Sequence, residues 1–346
     1  MTVVSPAPTR AVDPRKPGHQ HPSFDTGVRS LVVTAVRELT DAIVQIVLED
    51  PAGGMLAAYE PGSHLIVQAG PVRNTYSLID DGVNPHRYAI SVLRRSAPVP
   101  AGGSAESSGS AWLHDYVQVG RRVEIEGPRS LFAPVTTERK ALLIAGGIGV
   151  TPILSHARAA ARWGRPAEVI YSYRAGCGAH RDDLRALAAS GAITLHEVHT
   201  RTDAAALLSE RLAAQPMGTH AYACGPPAFV DRYLELGEAA GWPADRLHSE
   251  RFEVPPQDAG LPFAAIIAST GARLAVPAGV SLLQTLLDNG HDVANLCRQG
   301  VCGECRIPVR SGQIEHRDYV LSEREKADNT TMLCCVSRGA EIEVDL

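Results

Sequence analysis

Cys297-Arg298-Gln299-Gly300-Val301-Cys302-Gly303-Glu304-Cys305 sets three thiols at the spacing C-x4-C-x2-C, and Cys334 and Cys335 follow much later in the chain. Such a run with one distant fourth cysteine is the spacing that holds a [2Fe–2S] cluster, in which four thiolates complete two sulfide-bridged irons. Gly300 and Gly303 keep bulky Cβ atoms away and let backbone N–H groups approach the sulfurs. A zinc site would ordinarily draw on two C-x2-C pairs, and only one is present. Seven cysteines, an odd number, do not suggest a disulfide framework and fit a reducing, cytoplasmic compartment.

Two glycine turns offer a second chemistry. Gly146-Gly147-Ile148-Gly149-Val150-Thr151-Pro152 follows the apolar run 141–145 and opens a helix, whose free N–H groups and dipole favour a phosphate. The motif lacks the last glycine of G-x-G-x-x-G, and a tight turn of purely structural purpose would look the same. Context strengthens it, because Cys224-Gly225-Pro226-Pro227 closes another strand of the same sheet, and ligands of such sheets bind at the carboxyl edge. A third constellation, Arg73-Asn74-Thr75-Tyr76-Ser77-Leu78, puts a guanidinium, an aromatic ring and a hydroxyl on one strand. By itself Tyr76 is more often a core residue of a barrel.

The elements that must position these groups fall into three blocks. Residues 1–25, rich in proline and poor in apolar pattern, read as a tail without packed structure. Short β-branched runs at 31–36, 42–48, 64–67, 75–78, 87–93 and 122–125, with no long helix between them, predict an antiparallel barrel over residues 26–136. Residues 96–110 read as a loop before a short helix at 112–116. From Lys140 strands and helices alternate: strands at 141–145, 168–173, 193–198 and 220–223, and helices from about Thr151 and near 181–189, 204–213 and 226–240. That rhythm predicts an open, Rossmann-like α/β sheet over 137–252. A Pro- and Gly-bearing linker, 253–261, leads to an α+β domain of the β-grasp kind over 262–346. There, strands at 263–268 and 273–276 precede a helix with Ser281 and Gln284 as its capping box, stopped by Gly290, and strands at 306–309 and 342–345 complete a small mixed sheet.

A net charge of −5 and a charged content of 21% show no basic excess to draw the chain to nucleic acid or anionic lipid. No run approaches the ~18 apolar residues of a membrane span, and the N-terminus lacks a secretory layout. The expectation is a monomeric, soluble oxidoreductase.

In their order, R-N-x-Y-S-L, G-G-I-G-x-T-P, C-G-P-P and the C-terminal C-x4-C-x2-C resemble the phthalate dioxygenase reductase family of the ferredoxin-NADP reductase superfamily. The resemblance runs from about residue 27 to 346 and includes Glu250-Arg251-Phe252, His316-Arg317-Asp318 and Cys335-Val336-Ser337-Arg338. It implies FMN in the barrel, NADH or, with Arg174 where a 2′-phosphate needs a cation, NADPH in the middle domain, and a terminal cluster. The family more often uses NADH. By position, the resemblance sets Tyr76 against the flavin ring, Ser77 near its N5, Ile90, Ser91 and Val92 along it, and Thr75 beside them. Arg73 or Asn74 serves the flavin phosphate, with Gly109 and Ser110, favoured over Gly102-Gly103-Ser104 because they adjoin the short helix. Gly146, Gly147, Gly149, Thr151, Gly225 and Pro226 hold the dinucleotide, Cys224 lies beside the nicotinamide and Phe252 at the flavin edge. The cluster ligands become Cys297, Cys302, Cys305 and Cys335, while Cys334 points into the sheet's core.

The implied activity is a reductase that takes a hydride from NAD(P)H and sends electrons through FMN and the cluster to a separate terminal oxygenase, either a Rieske oxygenase or demethylase or a cytochrome P450. Glu304, Glu315 and Asp318 are acidic positions near the cluster for a basic partner face, though a solvated surface explains them as well. His316 is expected at the surface or in a hydrogen bond, and Cys177 as a loop thiol. A stand-alone flavin enzyme acting on a small molecule, or a pure electron carrier, are the competing readings; the two glycine turns disfavour the latter.

Overall fold

The computed structural model describes residues 27–70, 72–95, 109–255 and 257–346. The expected tail, Gly102-Gly103-Ser104 and most of the 96–110 loop lie outside these residues.

The first block is a six-stranded antiparallel sheet of β1 (Arg29–Thr40), β2 (Ile43–Glu49), β3 (Ser63–Ala69), β4 (Val72–Ser77), β5 (Arg87–Leu93) and β6 (Arg122–Ser130), in the order β4-β3-β6-β1-β2-β5. A bridge between Leu78 and Ile90 joins the two edges and closes the barrel. Alternate residues fill it: Leu31 and Val33, Ile46 and Leu48, Leu65 and Val67, Ile90 and Val92, Val123 and Ile125. The short helix α1 (Gly109–Tyr116) begins earlier than its apolar residues suggested, so Gly109 and Ser110 form its first turn rather than the end of a loop.

The second block is a parallel sheet of β7 (Lys140–Gly146), β8 (Ala167–Ser172), β9 (Thr194–Val198), β10 (Thr219–Cys224) and β11 (Leu247–Glu250), ordered β11-β10-β7-β8-β9. Helices α2 (Val150–Trp163), α3 (Arg181–Ala189), α4 (Arg201–Ala213) and α5 (Pro227–Ala239) connect them. β11 has no counterpart in the sequence-based assignment: Leu-His-Ser-Glu is too short and polar to stand out, and its pairing with β10 makes it a strand.

These two blocks share a core. The outward residues Ile43, Val47, Ile79 and Ala89 of the barrel pack with Leu143, Ala145, Val150, Tyr171 and Tyr222 of the α/β sheet. Polar ties reinforce the seam. Ser91 Oγ and His180 Nε2 share a hydrogen bond of 2.8 Å, His180 Nδ1 lies 2.8 Å from Asp183 Oδ2, and Arg158 donates to Asp183 (2.8 Å), Asp80 (2.7 Å) and the Ile79 carbonyl (3.0 Å).

The third block is a mixed sheet of β12 (Phe263–Ile267), β13 (Arg273–Val276), β14 (Arg306–Ser311), β16 (Thr331–Leu333) and β18 (Glu341–Val344), with the small pair β15 (Ile314–Glu315) and β17 (Arg338–Gly339) beside it. Helix α6 (Leu282–Asp288) lays Leu282, Leu283 and Leu286 on this sheet. Its capping box forms only by half: Ser281 Oγ accepts the Gln284 N–H at 3.1 Å, whereas the Gln284 amide donates to Asp288 at 2.7 Å. The complete box belongs to α7 (Glu323–Asp328), where Ser322 and Glu325 cap each other. That helix has no buried face and therefore no periodic signal.

Arg158→Ala should lower stability by on the order of 2 kcal/mol, since three charge-assisted bonds are lost at once. Urea unfolding checks this, and an unchanged midpoint would show that apolar contact alone holds the seam.

Candidate functional site

β7 and β10 are parallel neighbours with Ala145 opposite Cys224, so their glycine turns meet at the carboxyl edge of the sheet. The contact is too close for side chains: a Cβ on Gly146 would lie 2.9 Å from Pro226, and one on Gly149 would overlap the Cys224 carbonyl. Gly147, at φ 54°, begins a short 3-10 turn that feeds α2. The cap of α2 is Gly149, which offers no side chain, so the first-turn N–H groups stay available to an anion.

A cleft of about 830 Å³ runs along this edge. Gly146, Gly147, Gly225, Pro226 and Phe252 line one end, and Tyr173, Arg174, His199, Thr200 and Arg201 the other. Gly149 and Thr151 are buried behind it, the Thr151 hydroxyl donating to the Ile148 carbonyl at 3.0 Å. Cys224 is fully buried, and burial pushes its thiol well up.

A second cavity, about 180 Å³, is bounded by all three blocks: Thr75 and Ser77 from β4, Glu250 at the end of β11 and Phe252 just beyond it, and Val301 and Cys302 from the cysteine loop. Strand alternation divides the R-N-T-Y-S segment. Thr75 and Ser77 face the cavity, whereas Arg73, on the exposed outer stretch, pairs with Glu126 at 2.5 Å. Asn74 and Tyr76 lie on the other face, their polar atoms 3.5 Å apart, with Asn74 against Gly109 where any Cβ would collide with it. Ser110 Oγ accepts the Arg95 N–H at 3.1 Å. Ser77 Oγ and Glu250 Oε2 are enclosed yet have no hydrogen-bond partner. Burial pushes the Glu250 carboxyl up to about 8. The side chains of Ile90 and Val92 point into the barrel and Ser91 into the seam, so β5 brings no side chain to this cavity.

The cysteine loop is built around its sulfurs. Gly300 (φ 71°) and Gly303 (φ 78°) adopt left-handed conformations, and Gln299 donates its N–H to Cys297 Sγ at 3.3 Å. The thiols meet in two groups, Cys297 with Cys302 and Cys305 with Cys334 and Cys335. A hydrogen bond from Cys302, with backbone N–H groups, holds Cys297 down at about 6, and Cys334 and Cys335 together hold Cys305 down at about 3. Cys335 also feels the charge of Cys297, while the Cys334 thiol turns to the Cys305 carbonyl at 3.2 Å. Among the described residues no three His, Cys, Asp or Glu side chains converge on a single ion. Paired thiols are the donor set of two irons, each with two thiolates.

Several polar residues sit otherwise than the sequence suggested. Glu304 is ion-paired with Arg129 of β6, Glu315 with Arg317 at 2.6 Å, and Asp318 is buried, accepting the Val320 and Leu321 N–H groups. They therefore form no open acidic face. His316 is neither at the surface nor hydrogen-bonded: its side chain is 9% exposed, Nδ1 lies 3.6 Å from Asp318 Oδ1, and neither ring nitrogen has a hydrogen-bond partner. Cys177 is an exposed free thiol. Sequence reasoning passed over Arg95, Glu250, Arg251 and Arg201. Glu250 and Arg251 stood inside the quoted Glu-Arg-Phe motif, and Arg201 follows a strand of the α/β sheet just as Arg174 does.

Because Glu250 keeps its proton through neutrality in the folded chain, the folded state binds more protons than the unfolded one between the ordinary carboxyl range and about 8. Its contribution is full at low pH and falls as pH rises toward about 8, by ~1.4 kcal/mol per pH unit. Glu250→Gln should flatten that decline in urea midpoints between pH 5 and 8; an unaltered slope would assign it to another group.

Known proteins place this geometry. Residues 127–247 match the family described as dimethylamine monooxygenase subunit DmmA-like, N-terminal domain, and residues 266–338 match the 2Fe-2S iron-sulfur cluster binding domain. The heme-dependent oxidative N-demethylase beta subunit of Ectopseudomonas mendocina is 37% identical over 312 residues, covering 89% of this chain and 94% of that one. The phthalate 4,5-dioxygenase oxygenase reductase subunit of Pseudomonas putida is 33% identical over 323 residues, 91% of this chain and 95% of that one. The solved phthalate dioxygenase reductase, a modular structure for electron transfer from pyridine nucleotides to [2Fe-2S], superposes with a TM-score of 0.66 at 32% identity, over 92% of this chain and 98% of that one. An intact type IV self-sufficient cytochrome P450 monooxygenase superposes at 0.77 with 29% identity, over 92% of this chain but 41% of the longer protein. Matched along nearly its whole length by such subunits, and carrying their three-part order, the chain belongs to the phthalate dioxygenase reductase family, the reductase components of oxygenase systems.

Proposed function

We propose that this chain carries electrons from a pyridine nucleotide in the large cleft, through FMN seated between barrel and α/β sheet, to a [2Fe–2S] cluster on Cys297, Cys302, Cys305 and Cys335, and on to a separate terminal oxygenase. One observation carries the reading: the small cavity is lined at once by Ser77, by Glu250 and Phe252, and by Cys302, so the three stations adjoin. Bound FMN would take up two electrons as a hydride and release them singly, the conversion needed between a nicotinamide and an iron–sulfur cluster.

The protein's share is position and environment. The unpartnered Ser77 hydroxyl supplies a hydrogen bond to the ring's N5. Asn74, rather than the Glu126-bound Arg73, serves the flavin phosphate together with Gly109 and Ser110 at the start of α1. Phe252, which lines both cavities, stands at the ring's edge; Tyr76, on the Asn74 face of β4, takes the side of the ring nearer the phosphate, the role that the family resemblance implies. Gly146, Gly147, Gly225 and Pro226 admit the diphosphate, and buried Cys224 underlies the nicotinamide end. Arg129 and Glu304 fasten the cluster loop to the barrel next to two of its ligands. No helix of the described residues is long and apolar enough to cross a membrane; we assign a cytoplasmic monomer working with a Rieske-type or haem oxygenase.

Cys305→Ser should abolish cytochrome c reduction while anaerobic flavin bleaching by NAD(P)H persists, and an unchanged cytochrome c rate would remove the cluster as the outlet. Cys335→Ser should erase the cluster's visible and EPR signals, whereas Cys334→Ser should retain them; the reverse pattern would exchange the fourth ligand. Gly149→Ala should weaken nucleotide binding by on the order of tenfold, about 1.4 kcal/mol, with the cluster spectrum intact. Intact affinity would show that the two glycine turns tolerate separation.

A further inference from the structure

The large cleft has two chemically different ends. Strand order places β8 and then β9 beyond β7, at about 4.8 Å per strand. With the diphosphate on the glycine turn after β7, the turns after β8 and β9 therefore lie about 5 and 10 Å farther along, where the adenosine ribose of the same nucleotide comes to rest. Arg174 follows β8, and His199, Thr200 and Arg201 follow β9; all four line the cleft.

The charge at this end is of one sign. Arg174 and Arg201 are exposed, and among the described residues neither guanidinium is held in an ion pair. A ribose 2′-hydroxyl is ordinarily met by a carboxylate in this position, and a 2′-phosphate by arginine. Among the described residues the one acidic residue lining the cleft is Glu253, which belongs to the opposite end and is paired with Arg95. The nearby carboxylates are engaged elsewhere. Asp203 accepts from the Thr200 hydroxyl at 2.6 Å within the cap of α4, and Glu197 is bound by Tyr173 at 2.5 Å and Arg185 at 2.8 Å. The start of α4, directly at Arg201, adds its positive dipole end.

We infer that this reductase selects NADPH over NADH, the 2′-phosphate being held by Arg174 and Arg201 at the carboxyl ends of β8 and β9. This rests on the large cleft being the pyridine-nucleotide site, and it departs from the preference for NADH that the family resemblance implied.

Calorimetric titration of the flavin- and cluster-loaded protein with 2′,5′-ADP and with 5′-AMP isolates the phosphate, because the two ligands differ in nothing else. The 2′-phosphorylated ligand should bind at least about thirtyfold more tightly, and Arg201→Ala and Arg174→Ala should each reduce that advantage about tenfold while leaving 5′-AMP unchanged. Equal affinities, or variants that weaken both ligands alike, overturn the inference. Anaerobic mixing separates it from the reading beneath. Flavin bleached faster by NADPH than by NADH at low nucleotide supports it; bleaching by NADH with no advantage for NADPH overturns the selection and leaves the reductase standing; bleaching by neither overturns both.

Discussion

The apolar seam between barrel and α/β sheet is the contact on which the rest depends. Ile43, Val47, Ile79 and Ala89 form an outward apolar face that a free barrel would expose to water, and the α/β block covers it with residues that also buttress β7 and α2. Covering that face brings the carboxyl edge of the parallel sheet to β4 and β5, and both cavities open along this line. The seam is oriented by buried polar groups as well as filled by apolar ones. Ser91, His180 and Asp183 have the distances of a hydrolytic triad, but Ser91 is 5% exposed and lines neither cavity, so the set acts as a pin between two blocks.

The cluster-bearing block is attached differently. Its ties include the Arg129–Glu304 pair and Arg251 stacked 4.6 Å over the Tyr319 ring, with Arg317 holding Asp258 of the linker. Partly exposed charge pairs contribute about 0–1 kcal/mol each, far less than a shared core. The seam thus fixes the barrel against the α/β sheet, while polar contacts bring the cysteine loop to the small cavity. Ser77 Oγ and Glu250 Oε2 have no hydrogen-bond partner inside that cavity, which costs stability. The large cleft is likewise divided: glycines line it where two backbone turns meet, and Arg174 and Arg201 line it beyond β8 and β9.

Much of this was legible in the sequence because its causes are local. The cysteine spacing, the glycine turns after apolar runs and the alternation of strand patterns each express the geometry of a short segment, and together they pointed to the barrel, the α/β sheet and the [2Fe–2S] domain in the order in which the chain carries them. What failed locally had no local cause. β11 is a strand only because β10 lies beside it, and α7 lacks any apolar stripe, although its Ser322-to-Glu325 box was in view.

Tertiary structure alone decided the partners of polar side chains. Arg73 and Asn74 are neighbours in sequence, yet opposite faces of β4 send one to Glu126 and the other to α1. Glu304 looked like a surface acid until Arg129 of another block claimed it, and Asp318 until the chain folded over it. Arg201 gained meaning once strand order set it beside Arg174. Sequence records which groups are present and the backbone period that carries them; which faces another segment covers, and whose charge is neutralised, depends on contacts between residues far apart in the chain.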